Sequence, residues 1–263
     1  MEMLYKYYSN ESEYAYKNIE DGNICFSPLE CLNDPLEGYG AYLYKVSDEE
    51  QIYWNSIGSD LPKMLSKRFS EEFREVANFK YRVFCASKEY DNPLLWAYYA
   101  NCHKGFCVGY KKSSIGVVSD KLFDMNYKDE MYPINESDEK ILEKLLSVKS
   151  IDWKNENECR ALYELKCEDI GHSNHEVYFK KEKQLDEYLY ILNGNVRTND
   201  LRTLYARKFI CKKCSPVVIY LGMKMEWNDK KRLIDIAHKL KIKVYQMSQE
   251  QNSFKFIHED IIY

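Results

Sequence analysis

The stretch Tyr81-Arg82-Val83-Phe84-Cys85-Ala86-Ser87 is a continuous apolar strand, and its downstream neighbours set the fold class. Asn92-Pro93 opens a short helix over Leu94–Cys102, with proline at the position helices favour for it. Gly105 then turns the chain into a second apolar strand, Phe106–Tyr110. Upstream, Met3–Tyr8 reads as a buried strand, and Ser9 or Asn10 can cap a helix that runs to Asp21 and stops at Gly22. Asn23–Ser27 is a strand halted by Pro28, followed by the turn Leu32–Glu37. Ser47–Asn78 is helical, interrupted near Gly58 and Pro62. Downstream come a helix at Asp138–Lys149 and a strand at Glu158–Leu165. Helices at Lys181–Leu192 and Asn199–Lys208 precede a strand at Val217–Leu221 that ends at Gly222. A helix at Asp229–Leu240 and strands at Lys243–Met247 and Phe254–Ile257 close the chain. Strands and helices mix without strict βαβα alternation, so the class is α+β with a mixed sheet. No repeat, linker or low-complexity tract divides residues 1–263, so one domain is expected.

Composition narrows the function. Hydrophobic residues make up 45% of the 263 positions, enough for a full core, and 30% are charged without a long block of one sign. The net charge of −4 disfavours a protein built for unspecific grip on DNA or RNA. A local basic stretch does exist: Arg197, Arg202, Arg207, Lys208, Lys212 and Lys213, with Asp200 the sole acid among them. Its simplest reading is a solvated helix face and a strand edge. The 24 tyrosines suit half-buried strands and pocket walls, although a genome rich in Lys, Asn, Ile and Tyr codons explains them as well. No apolar run approaches the ~20 residues of a membrane span, and the amino terminus shows no signal peptide, so a cytoplasmic location is expected. The nine cysteines then read as reduced thiols, mostly core fillers. Cys211-x-x-Cys214 and His172-x-x-His175 could together offer four zinc ligands, but their spacing matches no finger, and no metal is expected.

Familiar catalytic motifs are missing: no dinucleotide-binding glycine fingerprint, no phosphate loop, no His-Glu-x-x-His and no nucleophile elbow. Chemistry must then rest on carboxylates, tyrosines and basic side chains. One constellation offers it, Glu156-Asn157-Glu158-Cys159-Arg160. On an extended strand, residues two apart share a face, which would place both carboxylates and Arg160 in one row. Such a row can steady a sugar cation, the task carboxylates perform in glycoside cleavage. A charged row on a solvent-facing edge strand is the plainer alternative.

Four blocks together resemble the bacterial family known as domain of unknown function 2971. They are Leu4–Tyr8 with Ile24–Pro28 and Asn33–Glu37; Phe84–Ser87 with Leu95–Ala100 and His103–Gly109; Lys149–Arg160; and Val217–Gly222. Their order is similar to that of the ADP-ribosyltransferase fold, which splits NAD at the nicotinamide–ribose bond. That resemblance implies a mostly antiparallel sheet core with flanking helices. It implies NAD as substrate, Glu158 as the catalytic carboxylate and Glu156 as the group that orients or deprotonates an acceptor. Lys6 stands where a His or Arg of the family would hold NAD, and Tyr7, Ser87, Tyr98, Tyr99 and Arg160 complete the implied binding set, Arg160 chiefly as support for the strand. A macromolecular acceptor, protein or nucleic acid, and a role as toxin or phage-defence effector are implied by the same resemblance. Two rivals stand beside it: a nucleic-acid effector built on the Arg197–Lys213 stretch, and a non-catalytic nucleotide-binding sensor in which the Glu-x-Glu-x-Arg row is structural.

Bland roles compete at several positions. Asn33-Asp34-Pro35 could line a pocket or simply cap its own turn. Trp96 is expected in the core, and His103 at the end of its helix, where positive charge suits the helix dipole.

Overall fold

The computed structural model describes residues 2–135, 137–166, 169 and 209–261. Their elements run β1 (Met3–Tyr8), α1 (Glu13–Glu20), β2 (Asn23–Phe26), α2 (Asp48–Ser56), α3 (Leu61–Lys80), β3 (Tyr81–Ser87), α4 (Pro93–Tyr98), β4 (Phe106–Lys111), α5 (Lys112–Val118), β5 (Lys121–Asp124), β6 (Asn126–Lys128), α6 (Ile141–Leu146), β7 (Val148–Ser150), β8 (Glu158–Glu164), β9 (Ile210–Lys213), β10 (Val218–Leu221), α7 (Trp227–Leu240), β11 (Lys243–Gln249) and β12 (Phe256–Asp260). The class is α+β, as expected. Eight strands form one sheet in the order β12-β11-β10-β4-β1-β3-β8-β5, in which only β10 and β11 are parallel. No described helix is long and apolar enough to cross a membrane.

The pairing at the sheet centre is uneven. β1 runs in register with β4 along its whole length, and β3 with β8 from Tyr81↔Glu164 to Ser87↔Glu158. Between β1 and β3, however, only Tyr5↔Ser87 is in register. The sheet therefore opens at its centre beyond that pair.

Side-chain alternation along each strand gives the two faces different partners. Leu4, Phe84, Ala86, Val108, Tyr110, Ala161 and Ile219 face a continuous core closed by α1, α5 and α7. On the other face the core is divided. Tyr81, Val83 and Leu162 pack against α3 and α6, whereas Tyr7, Cys107, Val218 and Tyr220 pack against Leu95 and Trp96 of α4. The central opening lies between these two clusters.

Gly105 and Gly222 hold the ends of this arrangement together. A Cβ at Gly222 would sit 2.2 Å from the His103 carbonyl oxygen and 2.5 Å from that of Gly105. Both obstacles are backbone and cannot swing aside. Gly222→Ala is thus expected to cost about 1–3 kcal/mol by overpacking, read as a lower denaturation midpoint with unchanged slope.

Several boundaries differ from expectation. The first helix is capped by Ser12, whose side chain accepts from the Ala15 amide, rather than by Ser9 or Asn10. The helix expected over Leu94–Cys102 ends at Tyr98, because Asn101, Cys102 and His103 all adopt positive φ. His103 closes the helix with its backbone amide, which donates to the Trp96 carbonyl at 3.1 Å, rather than with a charged ring: burial lowers the imidazole pKa, and the ring lies parallel to that of Trp96, centroids 6.4 Å apart. Trp96 itself is fully buried, as expected of a core residue. The segment Asp138–Lys149 yields only the short α6 before turning into β7. Two cysteines are not free thiols: Cys25 and Cys211 face each other across β2 and β9 and form a disulfide. They are 186 positions apart in sequence, so only pairing of those strands could reveal it. The disulfide also removes Cys211 from any thiolate pair with Cys214; His172 and His175 lie outside the described residues, as do the helices expected at Lys181–Leu192 and Asn199–Lys208.

Candidate active site

The expectation that Glu156 and Glu158 share a strand face is corrected by Asn157. A 3-10 turn over Ile151–Glu156 ends at Asn157 in the left-handed region (φ 43°, ψ 49°), and β8 starts only at Glu158. Asparagine tolerates that conformation better than most residues. It is fixed there by its Nδ2, which donates to Glu89 Oε1 at 2.8 Å, and by its carbonyl, which accepts from the Lys88 amide. The two carboxylates still converge, but through this turn rather than through strand alternation. Glu158 and Arg160 do lie in one row on β8, as expected of positions two apart.

Glu158 is 4% exposed and sits within an ion network. Its Oε1 accepts from Arg160 Nε at 2.8 Å and its Oε2 from Lys149 Nζ at 3.0 Å. Arg160, with no exposed surface, donates through Nη1 to Glu37 Oε1 and to the Leu146 carbonyl. Lys149 Nζ also pairs with Glu156, lies 3.9 Å from Glu37 Oε2 and stands 5.0 Å from the centre of the Trp153 ring. Tyr99 donates its hydroxyl to Glu156. Three carboxylates (Glu37, Glu156, Glu158) thus face two cations (Lys149, Arg160), leaving one negative charge in excess.

Electrostatics follow from this packing. Burial by itself raises the Glu158 carboxyl pKa, but Arg160 and Lys149 outweigh it and hold the group well below the usual carboxylate range. Burial likewise disfavours the Lys149 ammonium, yet Glu158, Glu37 and Glu156 keep its pKa above the ordinary lysine value. Both are charged at neutral pH. Cys85 lies beside them, and burial together with the Glu158 charge pushes its thiol up to about 12. It is therefore a neutral donor and not a thiolate nucleophile. Burial, then the neighbouring Glu156, raises the Tyr99 hydroxyl, so that it stays protonated and donates.

The network forms one wall of a cavity of about 240 Å³ in the central opening of the sheet. Tyr5, Tyr7, Ser87 and Tyr99 line other parts of it, and Lys6 and Ala86 lie where β1 and β3 separate. The Lys6 ammonium is 5.5 Å from the Phe84 ring centroid. Of the expected site residues, Glu156, Glu158, Lys6, Tyr7, Ser87, Tyr99 and Arg160 meet here. Tyr98 does not. It is 68% exposed and lies outside the cavity, because α4 turns Tyr99 inward and its neighbour must then face away. Tyr7 is held by packing against Trp96 and by donating to the Glu89 carbonyl, so its ring is a fixed wall.

Glu37 and Cys85 join the site although neither is among the expected site residues; both lie within the blocks that carry the family resemblance, Asn33–Glu37 and Phe84–Ser87, and that membership is the available signal. Glu37 comes just after Asn33-Asp34-Pro35, and both readings of that turn hold: Asp34 Oδ1 accepts from the Leu36 amide at 2.9 Å while Asn33, Asp34 and Glu37 line the cavity. A carboxylate that stays buried two residues beyond a proline turn leaves no periodic pattern. Of the basic stretch, residues 197–208 lie outside the described residues. Lys212 stands 4.4 Å over the Tyr163 ring and Lys213 donates to the Asp21 carbonyl. Comparison with protein-family models, curated proteins and solved structures returned no match to this chain.

Proposed function

We propose that this cavity cleaves the nicotinamide–ribose bond of NAD and passes ADP-ribose to an acceptor, on a fold similar to that of the ADP-ribosyltransferases and within the family of domain of unknown function 2971. The observation that carries the reading is a buried carboxylate, Glu158, in a ring-lined hollow whose charged groups sum to one excess negative charge. Lys6 and Asp34, which also line the hollow, offset each other and leave that excess unchanged. As the bond from ribose C1′ to the nicotinamide nitrogen breaks, the electron pair leaves with nicotinamide and positive charge develops on the sugar. A fixed negative potential favours that charge without reorganisation. Beyond its bonds to Arg160, Lys149 and the Cys85 thiol, the Glu158 carboxylate keeps one lone pair for a ribose hydroxyl. Glu156, nearer solvent and aligned by Tyr99 and Lys149, takes the proton of the acceptor as it attacks C1′.

The hollow fits part of the substrate only. Sites for whole drug-sized ligands measure roughly 300–1,000 Å³, so a cavity of about 240 Å³ takes the nicotinamide riboside end and leaves the rest at its mouth. The test is nicotinamide release from NAD by the purified protein. Glu156→Gln, whose amide oxygen can still accept from Lys149 while its Nε2 donates to the Tyr99 oxygen, removes the base and is expected to slow transfer by roughly 10²–10⁴-fold with little change in unfolding free energy. Undiminished transfer by that variant would remove Glu156 from the reaction.

One observation favours the non-catalytic reading: both oxygens of Glu158 are already engaged by cations. Against a purely structural network stand Arg160 Nη2 and Glu37 Oε2, buried without a hydrogen bond among the described residues. Polar clusters kept only for stability are expected to be closed.

A further inference from the structure

The face of the sheet that carries the cavity continues, beyond Tyr5, into a surface made of rings. Tyr5 on β1, Tyr220 on β10, Tyr245 on β11 and His258 on β12 stand on adjacent or near-adjacent strands, and Tyr90 from the loop after β3 lies over them. Tyr90 and Tyr220 stack at 4.5 Å and 15°, and Tyr220 and Tyr245 at 5.4 Å and 23°. Tyr5 leans against Tyr90 at 5.5 Å, and His258 meets Tyr245 edge-on at 4.5 Å. On the opposite face α1, α5 and α7 close the core; on this face α3 and α6 lie over β3 and β8, and among the described residues the short α4 covers Tyr7 and Cys107.

Two features show how the surface is built. Gly109 separates Tyr5 from Val218 on the intervening strand, and a Cβ there would lie 2.5 Å from Val218 Cγ1 and 3.1 Å from Tyr5 Cε1. Glycine at this position lets the Tyr5 ring lean across β4 toward Tyr220, at 6.0 Å. The Tyr90 backbone is anchored too, its carbonyl accepting from Trp96 Nε1 at 2.8 Å. The rings are thus held in place before any ligand arrives. Tyr5, Tyr90 and Tyr245 are only half-buried, and His258 is exposed.

We propose that this surface is a stacking subsite for the purine base of a nucleotide whose ribosyl end enters the cavity. The inference rests on the proposed NAD reaction and adds a place for the part of the molecule that the hollow cannot hold. Tyr5 belongs to both surfaces, so a ligand can run from one to the other without a break. Flat offset rings favour a flat π-system over an aliphatic group. Asp91 lies close enough to act on Tyr5 and Tyr90, and Asp260 stands opposite Tyr245; these carboxylates can accept from an exocyclic amine. They also oppose a polyphosphate backbone, so a single base fits better than a nucleic-acid strand.

The test uses the whole chain, with AMP, nicotinamide mononucleotide and NAD as probes in calorimetry and saturation-transfer NMR. AMP is expected to bind, and about tenfold less tightly to Tyr90→Ala and Tyr245→Ala, as for loss of one base–ring stack. Tyr90→Phe and Tyr245→Phe, which keep the ring, should bind as the native chain does, separating loss of stacking from loss of fold. Nicotinamide mononucleotide, without a purine, should bind all five proteins alike. AMP that fails to bind, or binds the alanine variants unchanged, overturns the subsite even where NAD is consumed. AMP binding that weakens as expected, with NAD left intact by the native chain, keeps the subsite and rejects the cleavage reaction.

Discussion

Glu158→Gln is expected to lower nicotinamide release by about 10²–10³-fold, the usual effect of removing one preorganised electrostatic group, and to destabilise the fold at the same time. The two losses have one origin. Glu158 is buried between Arg160 and Lys149, and an amide in its place has one acceptor oxygen for two cationic donors, so one of these buried pairs is broken even though Glu37 and Glu156 remain as counter-charges. Breaking a buried pair from one side costs about 3–5 kcal/mol, far more than loss of an exposed pair. The variant must therefore be assayed below its unfolding transition, at a temperature where calorimetry shows it native. Full turnover by folded Glu158→Gln would end the catalytic reading. Stability lost without any NAD turnover in the native chain would leave Glu158 a structural residue.

Linkage fixes the pH window of this contribution. The Glu158 pKa is lower in the folded chain than in the unfolded one, near ~4.3 for a free glutamate, so the folded state holds fewer protons there. Its stabilisation is complete above the unfolded value and disappears as pH falls through the folded one. Lys149, whose pKa is raised, works the other way, contributing below the unfolded lysine value and losing it only in strong alkali.

Arg160→Met is the second variant of large effect, with an expected loss of about 3–5 kcal/mol at neutral pH. Methionine fills much of the volume but leaves Glu37 and Glu158, both buried, facing Lys149 alone. Burial then dominates at Glu158 and its pKa rises above that of the unfolded chain. The sign of linkage reverses at that carboxylate. Protonation relieves the variant, so its deficit against the native chain should shrink as pH is lowered from 7 toward 5. Urea melts of both proteins at several pH values measure it. A deficit under about 1 kcal/mol, typical of an exposed pair, or one independent of pH, would contradict the buried network.

The strands were the legible part of the fold. Met3–Tyr8 and Tyr81–Ser87 announce themselves as apolar runs bounded by turn residues, because burial on both faces demands that composition. The left-handed turn at Asn101–His103 was not legible, since asparagine, cysteine and histidine adopt it only with neighbouring backbone to hold them. At the site, Glu156, Glu158 and Arg160 could be found because they sit within five positions of one another. Tyr98 and Tyr99 could not be told apart, as a helix turns adjacent residues some 100° apart and sequence does not say which way the core lies. Glu37 reaches Arg160 across 123 positions, and no local pattern carries that distance.

Apolar runs, turn chemistry and charge spacing are properties of neighbours along the chain, and from them the sequence alone determined an α+β class and one carboxylate-rich segment as the place to look for chemistry. Tertiary structure decided the rest: that β1 and β3 part beyond Tyr5 and Ser87, that the opening becomes a hollow, and that Glu37 and Lys149 complete its charge. Those outcomes depend on which strands pair and how far, and pairing is settled by side-chain packing between segments that the linear order keeps apart.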